Sequence, residues 1–250
     1  MIKYIGRTGN NLIQYFSAYF FCKKFNIPFN VPQECPVNWL DVNSEMIKWG
    51  ELFGVNPNNF IVYGGEKIKN KVYSINDSNF TNFYHQNNFD ITNVSKFEGY
   101  FQNKEFLFSK RDEIKKLLNI HYDNSTDEND VLVHYRLGDL KSNDMFLPIS
   151  YYDNLLSQIK FNKGYIISDT LDGDECQYLI EKYNLEPFDD ENPIKVINFA
   201  KNFNNLILSE GTFSWWIAFL SDAKNIFYGK SDKAWANNNL FLEEWNKINI

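Results

Sequence analysis

From residue 131 to residue 228 the chain repeats one pattern: a short apolar run, a polar turn, then a stretch with helical spacing. Val131 to His134 reads as a buried strand that stops at Arg136, Gly138 and Asp139. Pro148 and Ser150 precede a helix over Tyr151 to Ile159, and Gly164 to Ser168 is a strand. Asp174 to Tyr183 is a helix, Lys195 to Phe199 a strand, Phe203 to Leu208 an apolar run, Trp215 to Leu220 a helix and Asn225 to Tyr228 a last strand. Strands alternating with helices predict a parallel sheet with right-handed crossovers. The ligands of such sheets bind at the carboxyl ends of the strands.

Three strand mouths then share one edge: His134/Arg136/Asp139, Ser168/Asp169/Thr170 and Thr212/Phe213/Ser214. Arg136 at a strand end can fork onto a phosphate, or it can close a loop as an ion pair with Asp139. The Thr and Ser of the third mouth suit helix caps. An uncapped helix end facing an Arg suits a diphosphate equally well. Asp172-Gly173-Asp174 has the spacing of a metal-holding carboxylate pair, but it stands just before a helix, where acidic residues favour the dipole. That helix-end reading is preferred. Asp189-Asp190-Glu191 reads as a solvated loop, Cys176 as core, and Trp215-Trp216 as packing rather than a sugar platform.

The first half is less regular. Met1 to Ile5 reads as a strand, Gly6 to Asn11 as a loop with two glycines, and Leu12 to Phe25 as a buried helix. The loop suits an anion or a tight turn, but it is not the dinucleotide fingerprint. Between 26 and 96, Pro28, Pro32, Pro36 and Pro57 interrupt the pattern; Glu45 to Phe53 reads as a helix, and Phe60 to Tyr63 and Lys71 to Ile75 as strands. Phe97 to Asn103 is a strand ending in amides, and Lys104 to Leu118 a helix. The acidic segment Asp123 to Asp130 is the expected boundary, giving domains 1–122 and 123–250.

Composition narrows the function classes. With 44% hydrophobic residues and 18% aromatics the chain is a folded one. A net charge of −7 without a basic run speaks against nucleic acid as a partner, while one local Arg still allows a nucleotide. Cys22, Cys35 and Cys176 are too few and too scattered for a disulfide framework or a zinc cluster, and they fit a reducing compartment. His85 and His121 lack ligand partners at metal spacing, so no metal site is expected. No nucleophile elbow, Walker loop, signal peptide or spanning segment is read. A cytoplasmic protein is expected, with peripheral membrane association left open.

Five segments in order resemble the glycosyltransferase family 11 α-1,2-fucosyltransferases. Gly6-Arg-Thr-Gly9-Asn10-Asn11-Leu-Ile-Gln14-Tyr15 resembles the family's Gly-(Arg/Gly)-Leu-Gly-Asn-Gln-x-x-Gln-Tyr, and Glu98-Gly99-Tyr100-Phe101-Gln102 its Glu-Gly-Tyr-Trp-Gln. His134-Tyr-Arg136-Leu-Gly138-Asp139 resembles His-x-Arg-Arg-Gly-Asp, Ser168-Asp169-Thr170 resembles Ser-Asp-Asp, and Thr212 to Trp216 resembles Thr-Phe-Ser-Trp-Trp. The family's second Arg is Leu137 here, which removes a cation; the last Asp of its Ser-Asp-Asp is Thr170, and the Gln after Asn10 is Asn11.

The resemblance implies an α/β, GT-B-like fold of two facing Rossmann-like domains, the C-terminal one a parallel sheet with flanking helices. It implies an inverting, metal-independent transfer of fucose from GDP-β-L-fucose to a sugar hydroxyl of a galactoside-type glycan acceptor, with no cofactor required. By the same resemblance Arg136 binds the diphosphate and His134 and Asp169 contact the nucleoside or fucose. Thr212, Phe213 and Ser214 line the diphosphate and base, and Asn10, Asn11 and Gln14 face the cleft. Asp139 is the first candidate for the base and Glu98 the second, with Asp139 as an orienter of Arg136 an equal reading. A related glycosyltransferase with another nucleotide-sugar donor, and a non-catalytic nucleotide- or sugar-binding protein, are the competing readings.

Overall fold

Every residue of the strand Val131–Tyr135 is buried, so both of its faces are covered. A strand buried on both faces belongs in the middle of a parallel sheet, and there it lies. In a computed structural model that describes residues 2–27, 35–36, 46–47, 72–86, 93–118, 120, 122, 125–190, 192–229, 240–242 and 244–248, the chain forms two compact units, Met1–Asn119 and Ile120–Ile250.

The second unit holds a six-stranded, all-parallel sheet. Its strands are β6 (Val131–Tyr135), β7 (Gly164–Ser168), β8 (Leu185–Pro187), β9 (Asn205–Leu208), β10 (Asn225–Gly229) and β11 (Asn246–Ile248), in the order β11-β10-β9-β6-β7-β8. The chain builds outward from β6 to β8, then returns to the other side of β6 and builds outward again. The order therefore reverses between β6 and β9, the topological switch point where a Rossmann-like sheet opens a crevice for ligands. Its helices are α5 (Gly138–Ser142), α6 (Ile149–Gln158), α7 (Asp174–Tyr183), α8 (Pro193–Ala200) and α9 (Thr212–Leu220). Val131, Val133, Tyr135, Leu156, Ile166, Leu179 and Ile207 join across strands and helices in one core.

The first unit has a three-stranded parallel sheet ordered β1-β5-β4, from β1 (Ile2–Lys3), β4 (Val72–Asn76) and β5 (Asn93–Glu98). Helix α1 (Thr8–Lys24) takes in the last four residues of the loop expected over Gly6 to Asn11 and is buried from Thr8 to Cys22, its polar Asn10, Asn11 and Gln14 included. Helix α2 (Asp77–His85) is started by a capping box between Asn76 and Asn79. Cys35–Pro36 (β2) pairs antiparallel with Met46–Ile47 (β3). Among the described residues no helix is long and apolar enough to cross a membrane.

Several expectations are corrected. Lys195 to Phe199 is helical, within α8, because Pro193 stands at its first position and Ile197 and Ala200 fall three apart on a buried face. The strand of that stretch is β9, inside the run noted only as apolar. Asn225 to Tyr228 is not the last strand, since β11 pairs beside it. The helix expected over Lys104 to Leu118 breaks at Lys110 into α3 (Lys104–Ser109) and α4 (Arg111–Leu117). The strand expected over Phe97 to Asn103 instead ends at Glu98. Of the helix expected over Glu45 to Phe53, Met46–Ile47 is strand; the remainder, the strand expected over Phe60 to Tyr63, and His121 lie outside the described residues.

The units divide at Asn119/Ile120, close to the acidic segment expected as the boundary, and that segment's Asp127, Glu128 and Asp130 are tied to the six-stranded sheet. Asp130 accepts from the backbone N–H of Lys163 at 3.1 Å and of Asp127 at 2.9 Å. Asn205 donates to the carbonyls of Glu128 and Asp130.

Candidate functional site

Strand β6 ends at Tyr135, and the next residue, Arg136, emerges at the switch point. Its Nη2 donates to both carboxylate oxygens of Asp139, at 2.8 and 3.0 Å, and its Nε to Oδ1 at 3.3 Å. The bland ion-pair reading is therefore present in the geometry. Yet it uses only one side of the guanidinium. Nη1 turns toward Gly211, where a Cβ would stand 2.7 Å from it. Among the described residues Nη1 has no hydrogen-bond acceptor.

Gly211 follows β9 and is the N-cap of α9, with φ +109°, a conformation suited to glycine. It offers no side chain, so α9 begins without a side-chain cap. The first-turn N–H groups of Thr212, Phe213 and Ser214 have no intrahelical acceptors. Thr212 and Ser214 thus line the helix start without capping it. Ser214 Oγ instead meets His134 Nδ1 at 2.6 Å, and Phe213 packs edge-on against the same ring at 5.7 Å. Burial, with the charge of Arg136 added to it, lowers the His134 pKa to about 3. The imidazole is therefore neutral and links the strand end to the helix start.

Asp169, at the mouth of β7, accepts from the backbone N–H of Leu137 at 3.0 Å. Its other oxygen lies against Gly138, so close that a Cβ there would collide. Leu137 points into the core and is 4% exposed. Ser168 and Thr170 close a local turn, Thr170 N–H donating to Ser168 Oγ at 2.9 Å. Asp174 stands in the first turn of α7. Trp215 and Trp216 are fully buried, and Trp215 Nε1 donates to the Leu240 carbonyl. Cys176 is buried, and burial pushes its thiol up.

The remaining segments meet in the first unit. Gln14 pairs with the backbone of Ile5 through two bonds of 3.1 Å, and Asn11 Nδ2 donates to the carbonyls of Ile5 and Gly6. Both amides tie the loop to the helix. Asn10 lies in the first turn of α1 and accepts from Gln102 Nε2 at 2.8 Å, which joins the Gly6 to Tyr15 and Glu98 to Gln102 segments. Glu98 pairs with Lys3 and Lys96, whose hydrogen bonds and charges hold its pKa at about 2. A carboxylate held that low is a weak general base.

The structure thus gathers His134, Arg136, Asp139, Asp169, Thr212, Phe213 and Ser214 at one sheet edge. Asn10, Asn11, Gln14 and Glu98 lie in the other unit. Sequence reasoning gave no role of its own to Gly211 or to Gly138. The signal was a glycine in the short polar segment where each strand end gives way to the helix that follows it. Compared with family models, curated proteins and solved structures, the chain gives no match in any of the three.

Proposed function

We propose that the second unit binds the diphosphate of a nucleotide sugar, and that the chain is an inverting glycosyltransferase moving L-fucose from GDP-β-L-fucose to a hydroxyl of a galactoside-type glycan in α-1,2 linkage. One observation supports the diphosphate: Nη1 of Arg136, without an acceptor among the described residues, lies beside the start of α9, which has no side-chain cap, at the switch point of a parallel sheet. A fixed cation and a helix N-terminus are two independent sources of positive potential aimed at one place. The fucose and the guanine rest on the five-segment resemblance. The GT-B arrangement of two facing domains belongs to the same proposal.

In this reaction the acceptor hydroxyl oxygen bonds to C1 of fucose as the C1–O bond to the diphosphate breaks, and the hydroxyl proton is released to solvent as the transfer completes. Negative charge grows on the departing GDP, where Arg136 and the α9 N–H groups stabilise it. Each such donor is worth about 3–4 kcal/mol by analogy with oxyanion sites. Neutral His134 holds the helix start in place without adding charge. An oxocarbenium-like transition state asks little of a base. In this reading no metal is needed, because the cation and the helix end supply the charge.

A second reading has its own support. Asp139 is engaged by Arg136, and Glu98 is held low by two lysines, so neither carboxylate stands free as a base. A nucleotide-binding protein without turnover fits that. Calorimetric titration with GDP and UDP, followed by GDP release from GDP-fucose, GDP-mannose and UDP-sugars, separates the readings. Tight GDP binding with release from GDP-fucose alone is expected. Absence of GDP binding overturns the proposal, and binding without turnover on any donor favours the second reading.

A further inference from the structure

We propose that Asp169 is a positioning residue for the diphosphate site, acting through the backbone of Leu137 and Gly138 rather than by touching the ligand. This rests on the reading of Arg136 given above.

The argument starts from register. Strands β6 and β7 are parallel neighbours, with Tyr135 opposite Ser168. The residues just past them therefore leave the sheet side by side. One Asp169 oxygen takes the Leu137 N–H at 3.0 Å, and the other fills the space a side chain would need at Gly138. One oxygen is bonded to, and the other packed against, the loop that carries Arg136 on one side and Asp139 on the other. Leu137 anchors the same loop from below by its burial. With its backbone held by Asp169 and its side chain by the core, residue 137 fixes where Arg136 leaves the strand. The guanidinium then reaches Gly211.

The first unit repeats the device. Asp77, just past β4, accepts from the backbone N–H groups of Tyr100 and Phe101 at 3.0 and 2.6 Å, beyond the neighbouring strand β5. A Cβ at Gly99 would meet the Asp77 carboxylate. In each unit an Asp at one strand mouth pins the loop of the adjacent strand, and a glycine makes room for it. In the first unit the pinned segment carries Gln102, which reaches Asn10. In the second it carries the cation.

The test is GDP affinity of Asp169→Asn, Asp169→Ala, Gly138→Ala and the Asp169→Ala/Gly138→Ala double variant, with thermal unfolding of each. The amide of Asp169→Asn still accepts from Leu137, so affinity within about threefold of wild type is expected. Loss of the acceptor in Asp169→Ala should weaken GDP about tenfold or more. Gly138→Ala should weaken GDP when the carboxylate is present and add little when it is gone, because the two changes disturb one contact. Equal loss in Asp169→Asn and Asp169→Ala, or additive losses in the double variant, overturns the proposal. Amide exchange at Leu137 is the independent readout. It should rise in Asp169→Ala and not in Asp169→Asn, and it reports on the contact even if wild type binds no GDP.

Discussion

At the amino edge of the six-stranded sheet, Asp130 receives two backbone N–H groups, Asn205 donates to two carbonyls, and Asn225 donates to Asn205 Oδ1 at 2.8 Å. At the carboxyl edge of the same strands, Arg136 has one amino group without an acceptor among the described residues, and α9 starts on a glycine that cannot cap it. Buried polar groups are nearly always paired, because leaving one unpaired costs about 1–3 kcal/mol. The amino edge obeys this closely. At the carboxyl edge, instead, a guanidinium that solvent still reaches and a helix start without a side-chain cap bring two sources of positive potential together. One edge is finished by the protein's own side chains, and under the proposed function the other is completed by an anion.

The largest effect that would sharpen this contrast is at Arg136. Arg136→Ala should weaken GDP by roughly 100- to 1,000-fold, on the order of 3–4 kcal/mol. Its thermal midpoint should move little, since the Asp139 it abandons is partly exposed. Unchanged GDP affinity in a folded variant would remove the carboxyl edge as the anion site.

Next is the acid sensitivity of His134. Its ordinary value near 6.5 falls to about 3 on folding. Between those values the unfolded chain binds more protons than the folded one. The contribution is full above pH 6.5 and is lost as pH falls toward 3, reaching about 3 kcal/mol by pH 4. Denaturant unfolding of wild type and His134→Gln at pH 7 and pH 4 reads it as the difference in slope. Across pH 6 to 8 the ligand's own phosphate titrates, so the GDP affinities of wild type and His134→Gln should change in parallel; a step near 6.5 in wild type alone would mean that the imidazole titrates in the fold.

The amino edge gives the converse. Asp130→Ala strands two backbone N–H groups and should cost about 2 kcal/mol of stability. GDP affinity of the folded variant should match wild type. If Asp130→Ala weakened GDP as Arg136→Ala does, the division between a structural edge and a functional edge would fail.

Much of this contrast was legible in the sequence. The alternation of apolar runs and helical spacing gave the parallel sheet, and Arg136, Asp169 and Thr212 fell at strand mouths because polar residues follow where burial stops. What the sequence hid has physical causes. Strand β8 is a short edge strand ending in Pro187, too brief to show a period. The Lys195 to Phe199 run is too short for period alone to tell helix from strand. The acidic stretch before β6 marks a boundary by charges that are visible in the sequence, whereas the backbone partners that hold Asp127 and Asp130 to the second unit are not. Side-chain direction past a strand end is equally silent. Nothing in the letters shows that Leu137 turns into the core, or that Gln14 spends both ends of its amide on Ile5.

The smallest predicted effect bears most directly on whether the open edge is built or incidental. Gly211 meets two demands, a backbone at φ +109° and a guanidinium where a Cβ would stand. Gly211→Ala must strain the turn, at about 1–2 kcal/mol of stability. If the turn were all that mattered, GDP affinity per folded molecule would be untouched. If the close approach of Nη1 to the helix start makes the anion site, the added methyl displaces the cation and affinity falls about three- to tenfold. Arg136→Lys separates the two causes further. It keeps a positive charge but lacks the flat fork that lies against Gly211, so Gly211→Ala should cost little additional affinity in that background. Equal losses in both backgrounds would mean that the methyl acts through the helix start and not through the arginine.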